Sequence, residues 1–132
     1  MGVQTRMVVY AQDETSATAA CSAAFHRVAE LDAILSDYRA DSELNRLTRG
    51  EINTWHPVSR DLHRVLVMAQ RVSEASAGSF DLTVGPLVRL WRQARKDRRL
   101  PLEGDIAQAR SRVGWQKLIV DTHHRRVRFT TS

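Results

Sequence analysis

The sequence has a single cysteine and lacks any long apolar run. Cys21 alone provides no disulfide framework and no thiolate metal site. No segment approaches the roughly 20 apolar residues that a membrane-spanning helix requires. The first residues, MGVQTR, carry no signal-peptide pattern, so the chain as written is expected either to be cytoplasmic or to have lost its leader. These absences exclude a disulfide-rich secreted fold and a transmembrane protein.

The common catalytic motifs are absent as well. No GxSxG, GxGxxG or P-loop pattern occurs, and the five histidines show no HExxH or paired ligand spacing. His26 and His63 lie on predicted helices, away from any carboxylate partner visible in the sequence. A surface or packing role is therefore favoured for both over a catalytic one.

Positive charge is in excess, because the chain has 20 Lys and Arg residues and 15 Asp and Glu residues. Much of the excess lies in two clusters: Arg89, Arg92, Arg95, Lys96, Arg98 and Arg99, then Arg125, Arg126 and Arg128. Basic surfaces favour phosphates, nucleic acid or anionic lipid. A solvated arginine-rich face is the simpler interpretation. Because no DNA- or RNA-binding motif is present, we expect no nucleic-acid partner.

What is present predicts one α+β domain of 132 residues. Apolar periodicity and capping residues predict helices and strands in the following order. The elements are a strand at 3–10, a helix at 13–37 with Asp13 or Thr15 as its cap, a short helix at 42–48 capped by Asp41, an extended connector at 55–58, a helix capped by Ser59 that ends at Gly78, a helix from Pro86 through Ala94, a helix at 106–113, and a hairpin of 117–121 with 125–130. About three strands form only a small antiparallel sheet, which we expect to be incomplete, with several helices packed on it.

Two features do not fit a purely structural reading. The segment GSFDLTVGPL at 78–87 places Asp81 and Thr83 in an apolar stretch that precedes a predicted helix, where Thr83 is a candidate cap. A partly buried carboxylate needs donors, which are either backbone N–H groups of its own turn or a ligand. Tyr38 follows the first long helix, where its ring is either a hydrophobic lid or a stacking platform for a planar ligand. The residues alone leave both pairs of alternatives open.

Four segments in order closely resemble the flavin transferase (ApbE) family, the FAD:protein FMN transferases. They are MGV at 1–3, LSDYRADSELNRL at 35–47, GSFDLTVGPLVRLW at 78–91 and VGW at 113–115. The resemblance covers essentially the whole chain. It implies an enzyme that uses Mg²⁺ to cleave the pyrophosphate of FAD and transfers FMN to a threonine of a target protein, leaving AMP.

The resemblance implies roles for five residues. Met1 matches the methionine that contacts the flavin ring, and Tyr38 matches the tyrosine that stacks on it. Ser79, Phe80 and Asp81 match the segment that binds FAD, with Asp81 accepting hydrogen bonds from the ligand. No catalytic residue and no metal ligand is expected within this chain.

Several family features are absent or altered. Val3 replaces the usual threonine, and Thr5 stands where an aromatic is common. The family's later segments, which hold the magnesium ligands, do not appear, so residues 1–132 are interpreted as the N-terminal half of the domain. We therefore expect this chain alone to be inactive. The alternative is a non-catalytic flavin-binding or scaffold module that pairs with a separate second half. Family members are typically periplasmic or lipoproteins.

Overall fold

The structure is a computed structural model that describes residues 5–131. It divides into two compact units, residues 1–49 and 50–132. Within the described part there are five α-helices and a three-stranded antiparallel sheet, which confirms the predicted α+β class. None of these helices is long and apolar enough to cross a membrane.

The first unit contains α1 (Glu14–Leu35) and α2 (Glu43–Leu47). Of the two candidate caps of α1, Asp13 is the one used: its side chain accepts a hydrogen bond of 2.7 Å from the Ser16 amide. The cap of α2 is Ser42 rather than the predicted Asp41: the Ser42 hydroxyl accepts from the Asn45 amide at 3.0 Å. Ser42 is fully buried, so its hydroxyl needs this partner, whereas Asp41 remains exposed.

The strand predicted at 3–10 is not observed over the residues that the structure describes. Residues 5–11 form neither helix nor strand. A strand exists only where a neighbour pairs with its backbone groups, and no described segment does so here. Met7, Val8 and Val9 form an apolar run that is typical of a strand, but no neighbouring strand is present to pair with it among the described residues.

The second unit holds the other elements. They are β1 (His56–Pro57), α3 (Arg60–Ala75), α4 (Gly85–Asp97), α5 (Glu103–Ser111), a 3₁₀ turn (Trp115–Lys117), β2 (Leu118–Asp121) and β3 (Arg126–Phe129). The sheet order is β1-β3-β2, with both pairs antiparallel. The predicted hairpin is thus confirmed, whereas the segment at His56–Pro57, predicted only as an extended connector, adds a short third strand.

Helix α3 packs on the sheet. Its N-terminal cap is Ser59, as predicted, and its residues Leu62 and Leu66 are buried one turn apart. Two polar side chains join the helix to β2. The His63 ring lies 2.8 Å from the carbonyl of Asp121, and Gln70 Nε2 donates to the carbonyl of Leu118 at 3.0 Å. Of the surface and packing roles that were favoured for His63, the structure shows the packing one.

Candidate functional site

The segment that follows α3 forms a tight, internally bonded loop. Gly78 has φ +81°, in the left-handed region that glycine favours, and its amide donates to the carbonyl of Ser73 at 2.8 Å. A Cβ on Gly78 would lie 3.2 Å from Nε1 of Trp115. A larger residue here would adopt a strained positive φ and would also press against the Trp115 indole.

The next residues of the loop are fixed by Ser76 but keep their side chains in solvent. The Ser76 hydroxyl accepts from the Phe80 amide at 3.0 Å, and the Ser76 carbonyl accepts from the Ser79 amide at 3.0 Å. The side chain of Ser79 is exposed, and that of Phe80 is 46% exposed. The backbone is therefore held while a hydroxyl and an aromatic ring face outward.

Asp81 makes a polar cluster with Thr83. One carboxylate oxygen, Oδ1, accepts from both the amide and the hydroxyl of Thr83, at 2.7 Å each. The Thr83 hydroxyl in turn accepts from the Gly114 amide at 2.8 Å. Gly114 has φ +151°, a conformation that glycine tolerates. The cluster joins two segments that were recognised separately, GSFDLTVGPL and VGW.

This geometry answers part of the question posed by the sequence. Asp81 and Thr83 do tie the turn together, but they use only Oδ1 for it. The second oxygen, Oδ2, accepts no hydrogen bond from any residue in the described range 5–131. The predicted capping role of Thr83 is wrong: the N-cap of α4 is Val84, without a side-chain bond, because the Thr83 hydroxyl is engaged by Asp81 and Gly114.

Tyr38 lies in the first unit, on the loop between α1 and α2. Its side chain is 75% exposed, so the ring does not serve as a buried lid on the helix end. The loop is held through its carbonyl groups. Asn45 Nδ2 donates to the carbonyls of Ser36 and Arg39, at 3.3 and 2.7 Å, and Arg49 donates to that of Ala40 at 2.7 Å.

Charge pairs on the same loop complete this arrangement. Arg39 lies 3.0 Å from Asp41 and 3.6 Å from Asp32. The hydrogen bond from Arg39 holds the pKa of Asp41 below its ordinary value of 3.8. The motif LSDYRADSELNRL therefore encodes a loop that keeps a tyrosine ring in solvent.

The predicted site residues are thus distributed over both units. Ser79, Phe80 and Asp81 are consecutive in the second unit, and Tyr38 belongs to the first. Met1, like Val3, lies outside the described residues, and Thr5 is exposed. Sequence reasoning missed the supporting roles of Asn45 and Gly114, although both lie inside segments that had been singled out. Both roles depend on hydrogen bonds to residues elsewhere in the chain, for which the sequence carries no local signal.

The described residues do not form a metal site. Between residues 5 and 131, no three His, Cys, Asp or Glu side chains come together in a group that could hold a metal ion. Magnesium requires several oxygen ligands in octahedral geometry. The donor set of the described residues therefore does not fit Mg²⁺.

Comparison with known proteins first gives the class. The fold superimposes with a TM-score of 0.77 on the crystal structure of Pseudomonas stutzeri flavinyl transferase ApbE, apo form, at 28% identity, covering 87% of this chain and 37% of that one. A TM-score of 0.75 is found with the ApbE protein of Thermotoga maritima, at 23% identity and over 91% of this chain. The α+β architecture is therefore that of part of a flavin transferase.

The family follows from the sequence matches. The ApbE family model matches residues 1–132. The FAD:protein FMN transferase of Haemophilus influenzae is 33% identical over 71% of this chain and 28% of its own length. That of Klebsiella pneumoniae is 31% identical over 91% of this chain and 35% of its own length. The chain belongs to the ApbE family, a family of enzymes, and spans about a third of the length of these relatives.

Proposed function

We propose that this chain is the N-terminal portion of an FAD:protein FMN transferase domain and supplies part of its FAD-binding surface. In the proposed reaction a phosphoanhydride bond of FAD breaks, the FMN phosphorus forms a bond to a threonine hydroxyl of a target protein, and AMP leaves. The threonine proton is released in the same step. Mg²⁺ would neutralise the pyrophosphate charge.

The observation that carries the proposal is the half-used carboxylate of Asp81. Oδ1 is fixed by two bonds from Thr83, so the carboxylate cannot rotate freely. Oδ2 is left as an oriented, negatively charged acceptor on a half-buried side chain. Such an acceptor suits the N–H and O–H donors of a flavin dinucleotide.

Two aromatic rings support the same function. Both Phe80 and Tyr38 are large and exposed. Phe80 is next to Asp81, and Tyr38 lies on the hydrogen-bonded loop of the first unit. Exposed aromatic rings provide flat apolar surface for a planar ring such as isoalloxazine. The exposed hydroxyl of Ser79 and the side chain of Met1 complete the set of residues that we assign to FAD.

The first experiment measures FAD binding by flavin fluorescence with the 132-residue chain. Asp81→Asn is the sharpest variant, because the amide oxygen can still accept from Thr83 while Oδ2 is replaced by a donor NH₂ group. We expect FAD affinity to fall about ten-fold or more, since hydrogen bonds to a charged group contribute roughly 1.5–3 kcal/mol. Tyr38→Ala should also weaken binding. Glu74→Gln, an exposed carboxylate on α3, is the matched control.

Equal FAD affinity in wild type and Asp81→Asn, with the same unfolding midpoint, would refute the assignment of Asp81. Absence of any FAD binding by the folded chain would refute a flavin-binding role for the chain on its own.

The second experiment separates the enzyme from the alternative, a non-catalytic flavin-binding module that pairs with a separate second half. The lack of a metal cluster in the described residues favours binding without transfer by this chain. We expect no covalent FMN on a threonine-containing acceptor with FAD and Mg²⁺, as read by the mass of the acceptor. Transfer by the purified chain would contradict our interpretation that the metal ligands lie outside it.

A further inference from the structure

The net charge of the protein is concentrated in one helical hairpin. Residues 89–112, which cover most of α4, the connection and α5, hold eight of the 20 Lys and Arg residues and three of the 15 Asp and Glu residues. The excess of five equals the net charge of +5 of the entire chain, so the other residues sum to zero. Helices α4 and α5 pack against each other within the second unit. We call residues 89–112 the basic hairpin.

The tip of the basic hairpin carries two leucines in solvent. Leu100 is 83% exposed and Leu102 is 73% exposed, and Pro101 separates them. Leu102 is the N-cap of α5, a position that normally favours Ser, Thr, Asp or Asn because their oxygens accept from the first free N–H groups. The side chain of Leu102 makes no capping hydrogen bond. Its exposure therefore has no local structural explanation.

Cations flank the two leucines. Arg95 and Lys96 occupy the last turn of α4, where they also interact favourably with the helix dipole. Arg98 is the C-cap residue of α4, and Arg99 follows it in the connection to α5. Arg98 adopts φ +53°, which turns the chain away from the helix, and the Arg99 amide donates to the carbonyl of Ala94 at 3.1 Å. In the described part of the chain, none of these four side chains forms an ion pair.

We propose that the tip of the basic hairpin is a docking surface for an anionic lipid bilayer, with Leu100 and Leu102 entering the interface and the flanking cations contacting lipid phosphates. This surface is distinct from the proposed FAD site. The combination argues for lipid over nucleic acid. Both partners attract cations, but only a bilayer rewards burial of two protruding aliphatic side chains.

The test measures co-sedimentation of the 132-residue chain with phosphatidylcholine vesicles, with and without phosphatidylglycerol. We expect binding only when phosphatidylglycerol is present, and weaker binding at high salt. Lys96→Gln with Arg99→Gln should lower the partition coefficient about 25-fold, because each cation near an anionic surface contributes about a five-fold factor. Leu100→Ser with Leu102→Ser should lower it about ten-fold at constant charge.

Matched controls lie on α3, outside the basic hairpin. Arg60→Gln with Arg71→Gln removes the same charge, and Met68→Ser removes an exposed apolar side chain of 58% exposure. Both should retain wild-type partition within about two-fold, since only the hairpin contacts the bilayer. All substituted side chains are exposed, so we expect every variant to fold. Circular dichroism spectra would test this for each one.

Three outcomes would overturn the proposal. One is no binding to phosphatidylglycerol vesicles. A second is equal loss in the α3 control variants, which would indicate attraction by net charge alone. A third is tight, salt-sensitive binding to an oligonucleotide that is unaffected by Leu100→Ser with Leu102→Ser, which would assign the hairpin to nucleic acid. FAD affinity is measured in parallel, so failure here leaves the FAD proposal to be judged on its own data.

Discussion

The backbone amide of Gly114 donates a hydrogen bond of 2.8 Å to the hydroxyl of Thr83, across 31 residues of sequence. This bond joins the loop that carries Asp81 to the start of the segment leading into β2. The Thr83 hydroxyl donates to Asp81 at the same time. The position of the carboxylate therefore depends on a residue that lies far from it in the sequence.

The first prediction concerns that hydroxyl. Thr83→Val keeps the shape of the side chain but leaves the Gly114 amide without its acceptor. We expect the free energy of unfolding to fall by about 1–3 kcal/mol, the range for a part-buried donor that loses its partner. Urea denaturation measures this, and Thr83→Ser should retain most of the stability. If Thr83→Val unfolds at the wild-type midpoint, the bond does not hold the loop.

The second prediction compares two glycines. Gly114 has φ +151°, and a Cβ there would lie 3.3 Å from Cε of Lys117, so Gly114→Ala should lower the free energy of unfolding by about 1–3 kcal/mol. Gly104 lies inside α5, and a Cβ there would meet nothing within 4 Å. Gly104→Ala should raise stability by up to about 1 kcal/mol. Melting temperatures should thus shift in opposite directions, and a shift in the same direction would contradict the backbone argument.

The third prediction is a pH dependence at the β2–β3 turn. The carboxylate of Asp121 accepts from the amides of His124 and His123 and from Arg126 Nε, at 3.0, 3.0 and 2.9 Å. The His124 amide is the largest cause that holds the pKa of Asp121 well below its ordinary value of 3.8.

Because the folded-state pKa of Asp121 is lowered, its contribution to stability is present above the unfolded pKa and is lost as the pH falls below about 4. Asp121→Asn should therefore be less stable than wild type at pH 7, and the difference between them should narrow on acidification. Urea midpoints over this range measure it, with Glu74→Gln as the control. A difference that is constant with pH would contradict the prediction.

The fourth prediction concerns the hydrogen bonds from Asn45 that hold the Tyr38 loop. Asn45→Ala removes two hydrogen bonds to loop carbonyls, so amide hydrogens of residues 37–42 should exchange faster. We expect FAD affinity to fall with it if Tyr38 contacts the flavin, because a mobile ring must be ordered on binding. Gln116→Ala, an exposed substitution in the second unit, is the control. Unchanged exchange in Asn45→Ala would show that Arg49 alone suffices.

Local signals predicted much of the fold. The caps Asp13 and Ser59 were identified because each precedes an apolar stripe of helical period, and the hairpin because Val127 and Phe129 alternate with arginines. Helix α5 was predicted three residues late, since its N-cap is Leu102, which carries no capping signal. Capping residues and the period of apolar residues reveal a helix in the sequence. The predicted boundary is wrong where the capping residue is missing.

Non-local pairing was beyond sequence reasoning. The strand at His56–Pro57 exists because His56 pairs with Val127, a contact between distant residues. The hydrogen bonds from Asn45 and Gly114 are also contacts between separate segments, and only the folded chain reveals them. For the site, the sequence predicted an unusual carboxylate at Asp81, but not that one oxygen is bound and the other is available.

The bond between Gly114 and Thr83 also sets an order of events on the ribosome. Thr83 is synthesised before its anchor, which follows 31 residues later. Helices α4 and α5 must both have been synthesised before the loop can close onto it. A chain that has not yet grown as far as Gly114 therefore lacks the donor that fixes Thr83, so the Asp81 carboxylate reaches its final hydrogen bonding only after that residue has been added.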